Sequence, residues 1–166
     1  MNENGFESEE SRLRISTIAS IVYDNKWDVA EGTHDDRPLI IRFRNDFLRM
    51  PNINGYEHLL LITWNYTMEP SGLPNSTDAR MMNDFEDQLI DIFENDLVAV
   101  ITATITNNGS RQWVFYTKDV AECVTRLNNL PNFPIELETE TDENWRFFYD
   151  NILSGMETEE DADKLH

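Results

Sequence analysis

Hydrophobic and polar positions alternate cleanly from Ser110 to Thr117. Arg111, Trp113, Phe115 and Thr117 share one face of a strand, and Gln112, Val114 and Tyr116 share the other. The preceding run, Leu97 to Thr106, is rich in Val, Ile and Thr and reads as its partner. Between them Asn107, Asn108 and Gly109 tolerate positive φ, which predicts a hairpin. Glu57 to Asn65 is apolar on both faces through Leu59, Leu60, Leu61 and Ile62, as expected of a strand inside a sheet. Pro134 to Glu140 alternates again, with Ile135 and Leu137 inward and Glu136, Glu138 and Glu140 outward.

A helical period governs other segments. Pro70, Ser71, Gly72, Leu73 and Pro74 break the chain, and Asn75 or Ser76 can cap the helix that follows. Ala79, Met82, Phe85, Leu89, Ile92 and Phe93 form its apolar stripe, with Asp84, Asp87, Asp91 and Glu94 opposite. Asp78 complements the helix dipole, whereas Asp91 and Glu94 at the far end oppose it. Asp119 can cap a shorter helix with Val120, Cys123, Val124 and Leu127 on one side, ended by Asn128, Asn129 and Pro131. Thr141 or Asp142 can cap a last helix bearing Trp145, Phe148, Tyr149 and Ile152. Leu13 to Tyr23 stays open, because Ile15, Ile18 and Val22 fit a helical stripe while the β-branched content fits a strand.

Trp27 to Glu31 and Pro38 to Arg44 read as a hairpin joined by a loop through Gly32 to Asp36 rather than by a tight turn. In its second strand Leu39, Ile41 and Phe43 point one way and Ile40, Arg42 and Arg44 the other. Asn45 to Gly55 reads as loop. From Glu57 onward the order is strand, helix, strand, strand, helix, strand. That predicts an α+β fold: a ferredoxin-like two-layer sandwich whose antiparallel sheet carries helices mainly on one face and is extended by the N-terminal hairpin. The length of 166 residues suits a single domain over residues 12–153, between acidic flexible ends at 1–11 and 154–166.

Charge narrows the function. With 32 acidic against 13 basic side chains the formal net charge is −19, a field that repels nucleic-acid phosphates and anionic lipid, so neither is an expected partner. One cysteine, Cys123, excludes an intrachain disulfide and a Cys-rich zinc site, and its place on an apolar helix side predicts an inert thiol. The acidic start lacks the pattern of a secretory signal, and no segment approaches the roughly 18 apolar residues of a membrane span. A cytoplasmic protein is the expectation.

Candidate chemistry is sparse. His34, His58 and His166 form no paired metal motif, and no nucleophile elbow, phosphate loop or dinucleotide fingerprint occurs, so no catalytic, metal or cofactor residue is assigned. The row Glu136, Glu138 and Glu140 can face a cation, but charge on a sheet edge also guards against aggregation. Arg37, Arg42, Arg44 and Arg49 are a basic island in an acidic chain. Arg42 and Arg44 share a strand face and can grip a carboxylate or phosphate, or neutralise acids of the protein itself. Trp113, Tyr116, Trp145 and Tyr149 can line a pocket or pack in the core. These six residues form the candidate binding surface.

Three pieces resemble the bacterial domain-of-unknown-function family 695. They are Trp27–Asp28 before the Arg42 strand, Ser71–Gly72–Leu73–Pro74 ahead of a long helix, and Arg111–Gln112–Trp113–Val114–Phe115–Tyr116 leading to Asp142–Glu143–Asn144–Trp145. The resemblance spans roughly Trp27 to Asn151 and supplies no catalytic residue. Such domains stand at times beside one resembling the regulator of ribonuclease E activity B, an acidic inhibitor that binds a protein. The expected function is therefore a non-catalytic interaction or regulatory module docking on a basic protein, with a small-ligand or hydrolytic domain using an Arg and aromatic pocket as the alternative. Oligomeric state stays open.

Overall fold

Capping chemistry and branching decide the local structure of the computed structural model, which describes residues 17–49 and 53–152. The ends expected at 1–11 and 154–166, and residues 12–16 of the open segment, lie outside the described residues. The described part of that segment is a helix, α1 (Ile18–Asp24). The Thr17 hydroxyl accepts the Ser20 N–H at 3.1 Å, Asn25 ends the helix at φ 49°, and Ile18 and Ile21 are buried. Caps and burial outweigh the strand preference of the branched residues.

Strands β1 (Trp27–His34) and β2 (Arg37–Arg44) pair from Trp27 with Arg44 to His34 with Arg37. The loop expected between them is a tight turn instead. Asp35 and Asp36 both take positive φ, 54° and 61°, as a two-residue primed turn requires, and Asp is among the few residues that visit that region routinely. A 3-10 turn (Asn45–Arg49) follows where only loop was expected, and it buries Phe47 completely.

Then come β3 (His58–Asn65), α2 (Ser76–Glu94), β4 (Ala99–Asn107), β5 (Ser110–Thr117), α3 (Val120–Asn128) and β6 (Ile135–Thr141), with α4 over residues 146–152. Asn75 caps α2 by accepting the Asp78 N–H at 2.7 Å, and Asp119 caps α3 by accepting the Glu122 N–H at 3.0 Å. The β4–β5 hairpin turns on Asn108 and Gly109, at φ 49° and 87°. Gly72, at φ 88°, leaves no room for a side chain, since a Cβ there would lie 2.9 Å from Pro38 Cδ. No helix among the described residues is long and apolar enough to cross a membrane.

All six strands form one antiparallel sheet in the order β1-β2-β4-β5-β3-β6, so the fold is α+β. The alternation in β5 holds. Trp113 and Phe115 join Leu60, Ile62 and Trp64 of β3 beneath Met82, Phe85, Leu89 and Phe93 of α2 and Cys123 of α3. Val114 and Tyr116 join Leu59 and Leu61 on the other side, with Ile18 and Ile21 of α1, Phe47, Trp145, Phe148 and Ile152. Helical cover is thus not confined to one face: α1 and α4 close the side opposite α2 and α3. Each large side chain fully buried in either layer contributes about 1.5–3 kcal/mol.

One defect in the ladder organises the α2 side. Ile101 pairs with Phe115 and Ala103 with Val114, which leaves Thr102 as the extra residue of a β-bulge. The β2–β4 pairing stops at Phe43 with Ala103. Beyond that point side chains replace the missing strand partner: Ile101 donates its N–H to Glu94 Oε2 at 2.9 Å, and its carbonyl accepts from Arg44 Nη1 at 3.2 Å. Glu94 and Arg44 are themselves joined by two bonds of 2.6 and 2.9 Å, and their side chains are 5% and 2% exposed. The remaining guanidinium N–H groups go to Asn25 Oδ1, the residue that ends α1. Glu94 opposes the helix dipole because it serves this contact, and the expectation that it lines the exposed face is corrected.

Removing one partner of a buried pair strands the other charge, so Arg44→Met or Glu94→Gln is expected to destabilise the protein by about 3–5 kcal/mol. Replacing both at once often restores stability in such pairs. Here the double variant Arg44→Met with Glu94→Leu still leaves the Ile101 N–H and carbonyl without partners, and is expected to remain at least about 1–3 kcal/mol below wild type. Denaturant unfolding of the three variants checks this; a double variant as stable as wild type would refute the role assigned to the bulge.

Candidate functional site

The sheet divides the six candidate residues into two groups that cannot share a pocket. Arg42, Arg44 and Trp113 lie on the α2 side, whereas Tyr116, Trp145 and Tyr149 pack on the α1 and α4 side. The ligand-pocket alternative requires these side chains to converge, and they do not: successive side chains of one strand point to opposite faces, and Trp113 and Tyr116 are three positions apart.

On the α2 side the polar groups satisfy each other. Glu86 accepts from Arg42 Nη2 at 3.0 Å and from the Trp113 indole at 2.9 Å, bridging β2 and β5 beneath the helix. Arg111 donates to Thr106 Oγ1 at 2.9 Å and to Asn83 Oδ1 at 3.3 Å. Burial pulls its guanidinium below the ordinary range, with Glu86 acting in the opposite direction. Trp27 lies 5.1 Å from the guanidinium carbons of both Arg42 and Arg44. A cavity of about 350 Å³ opens at Asn25, Arg44, Asp87, Asp91 and Glu94, but every donor of Arg44 is already taken. An anion gains no free donor from Arg44. Glu86 and Asn25 were not singled out from the sequence, although Glu86 follows Phe85 on the flank of the apolar stripe.

On the other side the aromatics form a keystone rather than a pocket. Tyr116 stacks on Trp145 with ring centroids 4.3 Å apart and planes 13° apart. Its hydroxyl donates to Asp142 Oδ2 at 2.7 Å and accepts the Phe148 N–H at 3.3 Å. Asp142 also receives the N–H groups of Arg146 and Phe147, and so holds the start of α4. Trp145 takes φ 56°, a strained conformation for a bulky residue, secured by the stack and by its indole bond of 2.8 Å to the Tyr56 carbonyl. Tyr149 donates to the Phe47 carbonyl at 2.8 Å. Cys123 is buried beside Thr117, and burial pushes its thiol up, the environment of an unreactive cysteine.

What reaches the surface is acidic. Asp84, Asp87 and Asp91 are exposed along α2, and Glu136, Glu138 and Glu140 along β6. Strand β6 is one edge of the sheet and is exposed over most of its length; Leu137, expected inward, is 38% exposed. Beside it runs a groove of about 440 Å³ lined mainly by Phe85, Val124, Leu127, Leu130, Phe133 and Ile135. Arg126 is again held by the protein, at 2.7 Å from Asp96, 3.0 Å from Glu122 and 2.7 Å from the Ile92 carbonyl. The Arg126 hydrogen bond holds Asp96 at about 2, so that contribution is complete above the ordinary value of 3.8 and fades only as pH falls toward 2.

Burial first, then the Asp142 carboxylate, pushes the Tyr116 hydroxyl far above the ordinary 10.0. A raised acid gives stability that is complete below the unfolded value and is lost as pH rises above it. The tyrosinate absorbance step missing from Tyr116→Phe is therefore expected to coincide with alkaline unfolding, and the variant to lose about 1–3 kcal/mol at neutral pH. Ionisation of Tyr116 near its ordinary value in the folded protein would contradict this.

Comparison with curated proteins finds no match, and comparison with solved structures finds none either. Residues 25–153 match the model of a family of unknown function, DUF695. The match takes in β1 through β6, the Tyr116–Asp142–Trp145 contact and both arginine pairs beneath α2, and the chain belongs to the DUF695 family.

Proposed function

We propose that this protein is a non-catalytic interaction module of the cytoplasm that docks on a basic protein. The observation that carries the reading is the direction of its charges. Arg42, Arg44, Arg111 and Arg126 are spent on the protein's own carboxylates, carbonyls and side-chain oxygens, while Asp84, Asp87, Asp91, Glu136, Glu138 and Glu140 face outward. Each ion pair takes one carboxylate with its arginine, so the excess of acid, a formal net charge of −19, stays with the rest of the chain. A field of this kind speeds encounter with a cationic partner and rejects anionic ones, nucleic acid and acidic membranes included. The alternative of an arginine and aromatic ligand pocket draws no support, since Tyr116, Trp145 and Tyr149 lie across the sheet from the arginines and Trp113 is buried with its indole bonded to Glu86.

Immobilised protein is expected to retain a defined basic protein from a cell extract at low ionic strength and to release it as salt is raised through about 0.15 M, where surface charges are screened beyond roughly 8 Å. Retention of nothing at any ionic strength, or only of acidic proteins, would rule the reading out.

A further inference from the structure

Over the described residues the sheet has two edge strands, β1 and β6, and β6 is the one that carries a row of three glutamates on one face and borders an apolar groove on the other. Among the described residues β6 pairs with β3 alone, so the outer edge of its seven residues, about 23 Å at ~3.3 Å per residue, has no strand beside it. Its two faces carry different chemistry. Ile135 and Leu137 lie opposite Trp64 and Ile62 and border the apolar groove by α3. Glu136, Glu138 and Glu140 lie opposite Thr63, Leu61 and Leu59, and the last two glutamates rim a small hollow floored by Leu59, Leu61 and Phe147.

We infer that β6 is a docking edge for an extended segment of a partner protein whose side chains alternate between basic and apolar, added as a further strand of the sheet. Strand addition obtains affinity from main-chain hydrogen bonds and selectivity from the pockets that receive alternate side chains. In a strand laid against β6, one set of side chains falls over the groove beside Ile135 and Leu137, and the other falls beside the glutamate row. Charge complementarity makes the second set Lys or Arg. The same row disfavours a second copy of this chain, because pairing β6 with itself sets glutamates against glutamates, and like charges directly opposite destabilise a ladder. The inference rests on the anionic docking reading and adds its location and the pattern of the partner.

The test uses the full chain and a blocked synthetic peptide alternating Arg and Val, with a control of identical composition in which the two residue types are segregated into blocks. At low salt the alternating peptide is expected to slow amide hydrogen exchange along β6 and to bind more tightly than the control. Reversing Glu138→Lys with Glu140→Lys is expected to weaken it by about tenfold more than the charge-matched reversal Asp87→Lys with Asp91→Lys on α2. All four side chains are exposed, so both variants are expected to keep the wild-type circular dichroism spectrum, which is recorded as the check on folding. Equal losses from the two reversals, without β6 protection, would overturn the docking edge while leaving the anionic reading intact. Failure of both peptides to bind at low salt would remove both. Protection of β6 that grows with protein concentration in the absence of peptide would identify a second copy as the occupant and overturn the inference.

Discussion

The buried Arg44–Glu94 pair is the constraint on which the α2 layer depends. A β-bulge at Thr102 opens the ladder just where β2 runs out, and an interior N–H and carbonyl on Ile101 need partners there. Glu94 and Arg44 supply them, and in doing so fasten the last turn of α2 to β4 and the end of α1 to β2 through Asn25. Two buried charges are tolerated because each N–H of the guanidinium has an acceptor and the carboxylate receives three donors. A looser geometry would leave the desolvation of both ions uncompensated.

The consequence for function runs through charge. A protein with few cations uses several of them to hold α2, the bulge and the loop ahead of β4, so what remains outside is mostly carboxylate. The residues that carried the resemblance in the sequence are likewise scaffold. Trp27 lies beside Arg42 and Arg44, the Gly72 carbonyl accepts from Tyr66 at 3.0 Å while its bare Cα admits Pro38, and Tyr116 binds Asp142 and stacks on Trp145. In this chain they hold the body of the domain together.

Edges are where the display is least constrained by packing. β6 is short of neighbours on both faces and has none on its outer side among the described residues, so its side chains answer to solvent and partners more than to the core. The glutamate row beside an apolar groove joins two surfaces of opposite character along a single strand.

Local pattern alone located the strands read at Glu57–Asn65, Leu97–Thr106 and Ser110–Thr117, to within a residue or two of their ends, together with the turn at Asn107–Gly109, the cap Asp119 and the apolar stripe of α2, because each depends on residues within one element; the choice of Asn75 over Ser76 as cap came from the structure. The tertiary structure decided the rest. Thr17 and the burial of Ile18 and Ile21 made α1 a helix, and the turn at Asp35–Asp36 followed from the register of the two strands it joins. No sequence window shows that Glu94 meets Arg44 across 50 positions, and although alternation put Trp113 and Tyr116 on opposite faces of their strand, it did not show that helices bury both. Periodicity states which side chains share a face; whether that face meets solvent or another helix depends on what the remainder of the chain brings to it.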